Sequence, residues 1–266
     1  MYKEHFGLTH APFGKMCKQL FGTEQLKNIE RQFDWLLKSP GVGLLTAEPG
    51  LGKTAALRKI TSDLNPHKYL VRYIAETDFG RLDFYRQLAR SFGLASSYRR
   101  MDLWRDIKEY ITNLVEEKSI LPILIIDEAQ NLSTEFLRDF PSFLNFVFDS
   151  KDFITVWFVG HVEFERIIDR PCNAALASRI HARCSLAPIT NKEEFNGLLK
   201  YGIEEAGGSS TLMGDSEMNL IRMASKGNFR QVNRLLVMSM NLAVEQKMHH
   251  LTGDVIKKAI EILKQG

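Results

Sequence analysis

The stretch "LLTAEPGLGKTAAL", Leu44 to Leu57, constrains the fold more than any other part of the chain. It follows G-x-x-x-x-G-K-[ST], the pattern of a phosphate-binding loop, with Ala47 in place of the first glycine. The loop reads Ala47, Glu48, Pro49, Gly50, Leu51, Gly52, Lys53, Thr54, with Ala55 just behind it. A triphosphate needs backbone N–H donors aimed at its oxygens at a helix N-terminus, whose dipole favours anions. Gly50 and Gly52 allow main-chain turns that a side chain would block. Lys53 brings a point charge to the phosphates, and the Thr54 hydroxyl is a ligand for Mg2+. The Ala47 methyl, where a strand leaves for the loop, is a small steric addition that leaves the loop working. "VGLLT" before the loop is a short apolar run, as in a buried parallel strand. After it, Leu57, Ile60 and Leu64 share one helical face. Strand, glycine loop and helix together predict an α/β nucleotide-binding fold.

Four further runs read as strands: Tyr69 to Ala75, Leu121 to Ala129, Phe153 to Gly160 and Ala182 to Ile189. Helical stretches separate them, which predicts a five-stranded parallel sheet with right-handed crossovers. Thr190 followed by Glu193 reads as a capping box. Beyond it the pattern is helical, with a last helix beginning near Thr252. The expected division is an α/β domain over 1–189 and a small all-helical lid over 190–266. The chain of 266 residues has a net charge of only +3, so local patches must decide whether an anionic partner binds. Three separated cysteines offer no metal-ligand spacing and read as reduced thiols. No stretch has the length of a membrane span and no signal peptide is recognisable, so a cytoplasmic protein without membrane contact is expected.

"ILIIDEAQ" supplies the second part of the site. In open α/β sheets ligands bind outside the carboxyl ends of strands, which sets Asp127 and Glu128 toward the phosphates. Asp127 would hold Mg2+, and Glu128 would orient and deprotonate an attacking water. The expected reaction is Mg2+-dependent ATP hydrolysis.

Together these motifs resemble the AAA+ ATPases, along nearly the whole chain. The resemblance implies that His161, after "VWFVG", stands at the sensor 1 position, although a plain loop histidine fits the residues too. It implies that Arg179, in "LASRIHARC", reaches a neighbouring subunit's site as an arginine finger. Arg183, one turn further on, and Arg170 are its rivals. "GNFRQVNRLL" resembles the sensor 2 helix, with Arg230 toward the phosphates and Arg234 as the alternative. "FGLTHAPFGK" resembles the segment packed near the adenine, so Phe6 and Phe13 are either apolar contacts to the base or core residues.

Within AAA+ proteins, "FGL…PF", "TAEPGLGKT", "IIDEAQNL" and "VGH" resemble a subgroup holding ExeA-type secretion ATPases and transposition regulators of the TnsC, TniB and MuB kind. ExeA-type proteins continue into a membrane segment, and this chain stops one helix after its lid, which favours the regulators. These assemble on DNA as ATP-dependent rings or filaments and present the target to a transposase. The expected partners are therefore double-stranded DNA without base preference, a transposase and further copies of the chain. The positive residues Arg81, Arg86, Arg90, Arg99, Arg100, Arg105 and Lys108, after Phe79, are the candidate DNA surface, against the alternative of a solvated helix face. Arg86 and Arg90 are expected on the outward side of their helix. The six phenylalanines between Glu135 and Phe153 read as core, or else as a partner surface.

Overall fold

The computed structural model describes residues 2–17, 19–78, 80–147 and 150–265. In chain order its main elements begin with α1 (Tyr2–His5), α2 (Glu24–Lys38), β1 (Val42–Ala47), α3 (Lys53–Ser62) and β2 (Tyr69–Ile74). There follow α4 (Arg81–Ser91), α5 (Arg100–Glu116), β3 (Leu121–Ile126), α6 (Thr134–Phe143), β4 (Thr155–Gly160), α7 (Val162–Ile168), α8 (Ala174–Ala177) and β5 (Ile180–Leu186). The last four are helices: α9 (Lys192–Glu205), α10 (Asp215–Ser225), α11 (Phe229–Glu245) and α12 (Gly253–Gln265). The chain divides into two compact units. One is built from Gln25–Glu48 and Ile60–Leu186, the other from Met1–Glu24, Pro49–Lys59 and Ala187–Gly266.

The first unit is an α/β fold around a five-stranded sheet in the order β2-β3-β4-β1-β5. All four strand pairings are parallel. β1 and β4 are buried along their whole length, which explains their unbroken apolar runs. β5, at one edge, alternates buried and exposed residues. Gly43 in β1 makes room for a neighbour: a Cβ there would sit 2.6 Å from the indole of Trp157. That indole is fully buried and stacks on Phe33 of α2 at 5.5 Å. On the other side of the sheet Phe136, Phe140 and Phe143 of α6 pack with Phe84, Tyr85 and Phe158. Phe146 and Phe153 are buried as well, so five of the six phenylalanines are core, and Phe148 lies outside the described residues. Tyr85, Leu88, Ala89 and Phe92 form the predicted inward face of α4.

The second unit packs α9 to α12 around Phe195, Leu199, Ile221, Leu236, Met240 and Ile256. The N-terminal segment belongs to it. Thr9 N–H donates to Ala206 O at 2.8 Å, and His5 Nε2 donates to Met248 O at 2.8 Å. His10 Nε2 pairs with Glu205 at 2.8 Å, with Thr9 Oγ1 2.9 Å from the other ring nitrogen. Cys17 completes a group of three ligand-type atoms within 4.8 Å, which the cysteine spacing did not foretell. The capping box at Thr190 is corrected by one residue. Asn191 is the N-cap of α9, and its Oδ1 accepts from Glu194 N–H at 3.0 Å. An asparagine nearer the helix displaces the threonine because its amide oxygen reaches the orphan N–H at the third helical position.

Candidate nucleotide site and its acidic strand end

β1 ends at the fully buried Ala47, where the missing first glycine stands, and α3 begins at Lys53. Between them Gly50 and Gly52 take φ of +85° and +88°, the left-handed region that a side chain strains. The Lys53 side chain is nearly buried at 8% exposure, and Thr54 is exposed on the first turn. The helical unit holds this loop directly. Asn228 caps α11, accepting from Arg230 N–H at 3.1 Å and Gln231 N–H at 3.3 Å. Its Nδ2 donates to Pro49 O at 2.7 Å, and Arg230 N–H also lies 3.2 Å from Gly50 O. A Cβ on Gly50 would stand 2.6 Å from Asn228 Oδ1 and 2.7 Å from Arg230 Cβ. Of the two sensor 2 candidates, then, Arg230 starts from the loop itself, and Arg234 lies one turn further along α11. Phe229 faces Gly52, and Phe13 stacks on Phe229 at 6.3 Å. Phe13 thus sits one ring away from the loop, tight against Gly202, whereas Phe6 packs on the helical core.

In the sheet unit, β4 lies between β3 and β1, with Ile126 paired to Phe158 and Thr46 to Gly160. That order brings Asp127 and Glu128, after β3, next to His161, after β4. Asp127 is only 3% exposed. Its Oδ2 accepts from the Tyr73 hydroxyl at 2.8 Å and its Oδ1 from Glu128 N–H at 2.9 Å. Glu128 adopts φ 51° and ψ 38°, a left-handed conformation that costs a non-glycine residue about 1–3 kcal/mol. Its carbonyl is held by the Thr77 hydroxyl at 2.8 Å, so main-chain N–H and C=O are both fixed. The carboxylate Oε2 accepts from Gln130 Nε2 at 2.6 Å, and His161 Nε2 lies 3.7 Å from the same oxygen. Gln130 Oε1 accepts from His161 N–H at 3.1 Å. Tyr73, Thr77, Gln130 and Asn228 are the residues that sequence reasoning missed. Only Gln130, inside "DEAQ", and Asn228, at a helix start, stood in motifs already singled out.

Arg179 follows α8, with Nη2 donating to Asn145 Oδ1 at 2.7 Å and Nη1 to Ala175 O at 3.2 Å. Arg183 lies on β5, within the run expected to be a strand from Ala182. There Arg183 pairs with Asp169 at 2.8 Å and Glu165 at 3.4 Å, which holds the Asp169 carboxyl below its usual range. Arg170 is exposed ahead of the turn at Pro171.

The basic span is divided. Arg86 bonds Asp83 at 2.9 Å and Ser97 O at 3.2 Å and lies over Tyr98, so it does not simply share the outward side with Arg90. Arg100 pairs with Asp139 over the Trp104 ring, and Arg105 pairs with Asp106 and Asp102. Lys108 turns inward to Asn145 O at 2.7 Å among Trp104, Phe143 and Phe146, and burial lowers its pKa. Arg81 is exposed, 4.0 Å from Asp139, and Arg90 and Arg99 are exposed. Between them Tyr98 is 88% exposed. A polar cleft of about 430 Å³ lies beside it, lined by Glu76, Arg86, Gln87, Arg90 and Ser97 among others.

No helix among the described residues is long and apolar enough to cross a membrane. The AAA domain family matches residues 36–168, half of the chain. The chain is 26% identical over 271 residues to general secretion pathway protein A of Aeromonas hydrophila, covering 98% of this chain but 48% of that protein. In structure it is similar to the Aeropyrum pernix ORC2 protein in ADPNP–ADP complexes, with a TM-score of 0.70 and 17% identity over 94% of this chain and 70% of that one. The ORC1 protein of the same organism, solved in complex with DNA, gives a TM-score of 0.70 at 13% identity over 94% and 68% of the two chains. Glycine loop, buried lysine, acidic strand end and parallel sheet thus coincide with a family match: the chain belongs to the AAA domain family and is an ATPase with a P-loop core.

Proposed function

We propose that this ATPase assembles on double-stranded DNA in its ATP state and serves as a transposition regulator, releasing the DNA when ATP is hydrolysed. The observation that carries DNA binding is the exposure of Arg81, Arg90 and Arg99 together with the exposed ring of Tyr98, Arg90 and Arg99 having no acidic partner among the described residues. Guanidiniums there neutralise backbone phosphates without reading bases, so retention falls with salt. The DNA complex of the similar ORC1 fold supports the same reading. The resemblance of "FGL…PF", "IIDEAQNL" and "VGH" to the subgroup that holds TnsC, TniB and MuB proteins beside ExeA-type ATPases is what suggests a transposase as the partner.

In this reading Lys53 and the loop N–H groups bind the phosphates, with Arg230 beside them. Magnesium suits the donor set, since the Thr54 hydroxyl and the buried Asp127 carboxylate are hard oxygen ligands. Bound to them, the ion neutralises charge on the phosphates. Glu128 takes the proton of the attacking water, His161 lies beside it, and Arg179 completes the site of a neighbouring copy. ATP binding at such a boundary favours the assembled state through its differential affinity.

The similarity to general secretion pathway protein A favours a second reading, an ATPase that remodels a protein complex without DNA. The chain spans about half the length of that relative. The two readings separate in a duplex-retention assay. ATP-dependent retention that weakens with salt, and falls in an Arg90→Ala/Arg99→Ala variant, supports the regulator. Retention indifferent to ATP, or none, supports the second reading.

A further inference from the structure

We infer that Gln130 is a positioning residue for hydrolysis: its side-chain amide sets the direction of the Glu128 carboxylate and ties it to the end of β4. The inference rests on reading Glu128 as the base that activates water. The amide is used in opposite senses at its two ends. Its Oε1 accepts from His161 N–H at 3.1 Å, and its Nε2 donates to Glu128 Oε2 at 2.6 Å. A backbone N–H can only donate, so the oxygen of the amide must face His161, and the NH2 group must then face the carboxylate. The orientation of Gln130 is therefore dictated by its partners. Gly160 leaves the space this requires, because a Cβ there would stand 2.9 Å from Gln130 Oε1.

The rest of Glu128 is already fixed. Its N–H is held by Asp127 and its carbonyl by Thr77, in a left-handed conformation that these bonds maintain. What remains free is the side-chain torsions, and Gln130 removes that freedom by engaging Oε2. The other oxygen, Oε1, has no hydrogen-bond partner among the described residues and is the one presented to water. When that water attacks the γ-phosphorus, the bond from phosphorus to the β,γ-bridging oxygen breaks. Its electron pair leaves with ADP, and the water's proton passes to Glu128 Oε1. Any shift of β4 moves the His161 N–H and, through Gln130, the base. A change at the sensor 1 strand thus reaches the carboxylate by one side chain.

Gln130→Glu isolates the bond that matters. A glutamate keeps the acceptor for His161 N–H, loses the donor to Glu128 and sets two carboxylates face to face. Single-turnover ATP hydrolysis by the full chain is measured beside the affinity for a non-hydrolysable ATP analogue and the melting temperature. Losing a hydrogen bond to a charged group predicts hydrolysis slower by about ten- to hundred-fold, with affinity and melting temperature unchanged. Gln130→Ala gives the same split with a smaller loss, and it serves where the added charge disturbs folding. Hydrolysis at the wild-type rate, or faster, in both variants overturns the inference; a faster rate would mean that Gln130 holds the base away from water. Equal losses in hydrolysis, affinity and melting temperature also overturn it, since they mark a merely structural role. Glu128→Gln, run in parallel, separates the two layers. If it still turns over at the wild-type rate, the reading of Glu128 is wrong. If it is inactive while both Gln130 variants are normal, only the present inference fails.

Discussion

Replacing Gly50 by alanine asks whether the helical unit shapes the phosphate loop. The new Cβ would sit 2.6 Å from Asn228 Oδ1 and 2.7 Å from Arg230 Cβ, both closer than real Cβ atoms approach. Gly50 has φ +85°, and forcing an L-residue there costs about 1–2 kcal/mol. Asn228 cannot give way without loosening its bond to Pro49 O and its cap on α11, and a lost cap costs about 1 kcal/mol. Together the two effects amount to about 2–3 kcal/mol, or ATP binding weaker by about thirty- to two-hundred-fold if the loop carries all of the loss. Gly52→Ala provides the contrast. Its φ is also positive, but its Cβ would meet only the Phe229 ring at 3.3 Å, which can tilt aside. Its cost is therefore the backbone part alone, about 1–2 kcal/mol. Gly80→Ala, with nothing within 4 Å, is the neutral control. Titration with a fluorescent ATP analogue, alongside thermal melts, ranks the three variants. Gly50→Ala binding as tightly and melting as high as Gly80→Ala would refute the placement of the α11 N-terminus against the loop.

Three further outcomes follow from the site. Glu128→Gln binds ATP but does not turn it over, so its assemblies outlast those of the wild type in ATP; equal dissociation on dilution, followed by light scattering, would contradict this. Arg179→Ala loses hydrolysis while each monomer still binds ATP, and mixing it with Glu128→Gln restores partial turnover if the arginine acts across a boundary; wild-type turnover by Arg179→Ala alone would move the finger to Arg183 or Arg170. The thiols should differ in reactivity, because Cys172 is exposed while burial pushes Cys184 up from an ordinary 9.0 to about 11. At pH 8 the thiolate fraction of Cys184 is then about a hundred-fold lower, and iodoacetamide followed by mass spectrometry should find Cys172 labelled first. Since folding raises this pKa, Cys184 binds its proton more tightly in the folded state. Its contribution to stability is intact below pH 9 and is lost as pH rises from there through 11.

Much of the fold was legible because burial writes itself into local pattern. β1, β3 and β4 carry unbroken apolar runs since both their faces are covered, and the loop's spacing announces Lys53 and Thr54. The start of α12 agrees to within a residue, at Gly253 against an expected Thr252. Strand order was not legible, because nothing in "VWFVG" says that its strand lies between β1 and β3. Arg183 was readable as a strand residue in "ARCSLAPI", but its pairing with Asp169 joins β5 to the end of α7 and leaves no local signal. The bonds of Gln130 to His161, Tyr73 to Asp127 and Asn228 to Pro49 join segments far apart in sequence, so no local period records them. Among the arginines after Phe79, the pairings of Arg86 with Asp83 and of Arg105 with Asp106 are local to α4 and α5, whereas that of Arg100 with Asp139 depends on how α5 and α6 pack. Of the seven positive residues Arg81, Arg90, Arg99 and Arg105 are exposed, and since Arg81 and Arg105 face carboxylates, Arg90 and Arg99 are the exposed ones with no acidic partner among the described residues.

The central claim, that ATP drives this chain to assemble on DNA, is tested most directly by negative-stain imaging of the wild type and Lys53→Ala, with and without duplex DNA, in ATP and in a non-hydrolysable analogue. Rings or filaments that require both nucleotide and DNA, persist in the analogue and are absent for Lys53→Ala are the predicted result. Assemblies of the wild type that form equally without DNA, or that survive loss of Lys53, would contradict it.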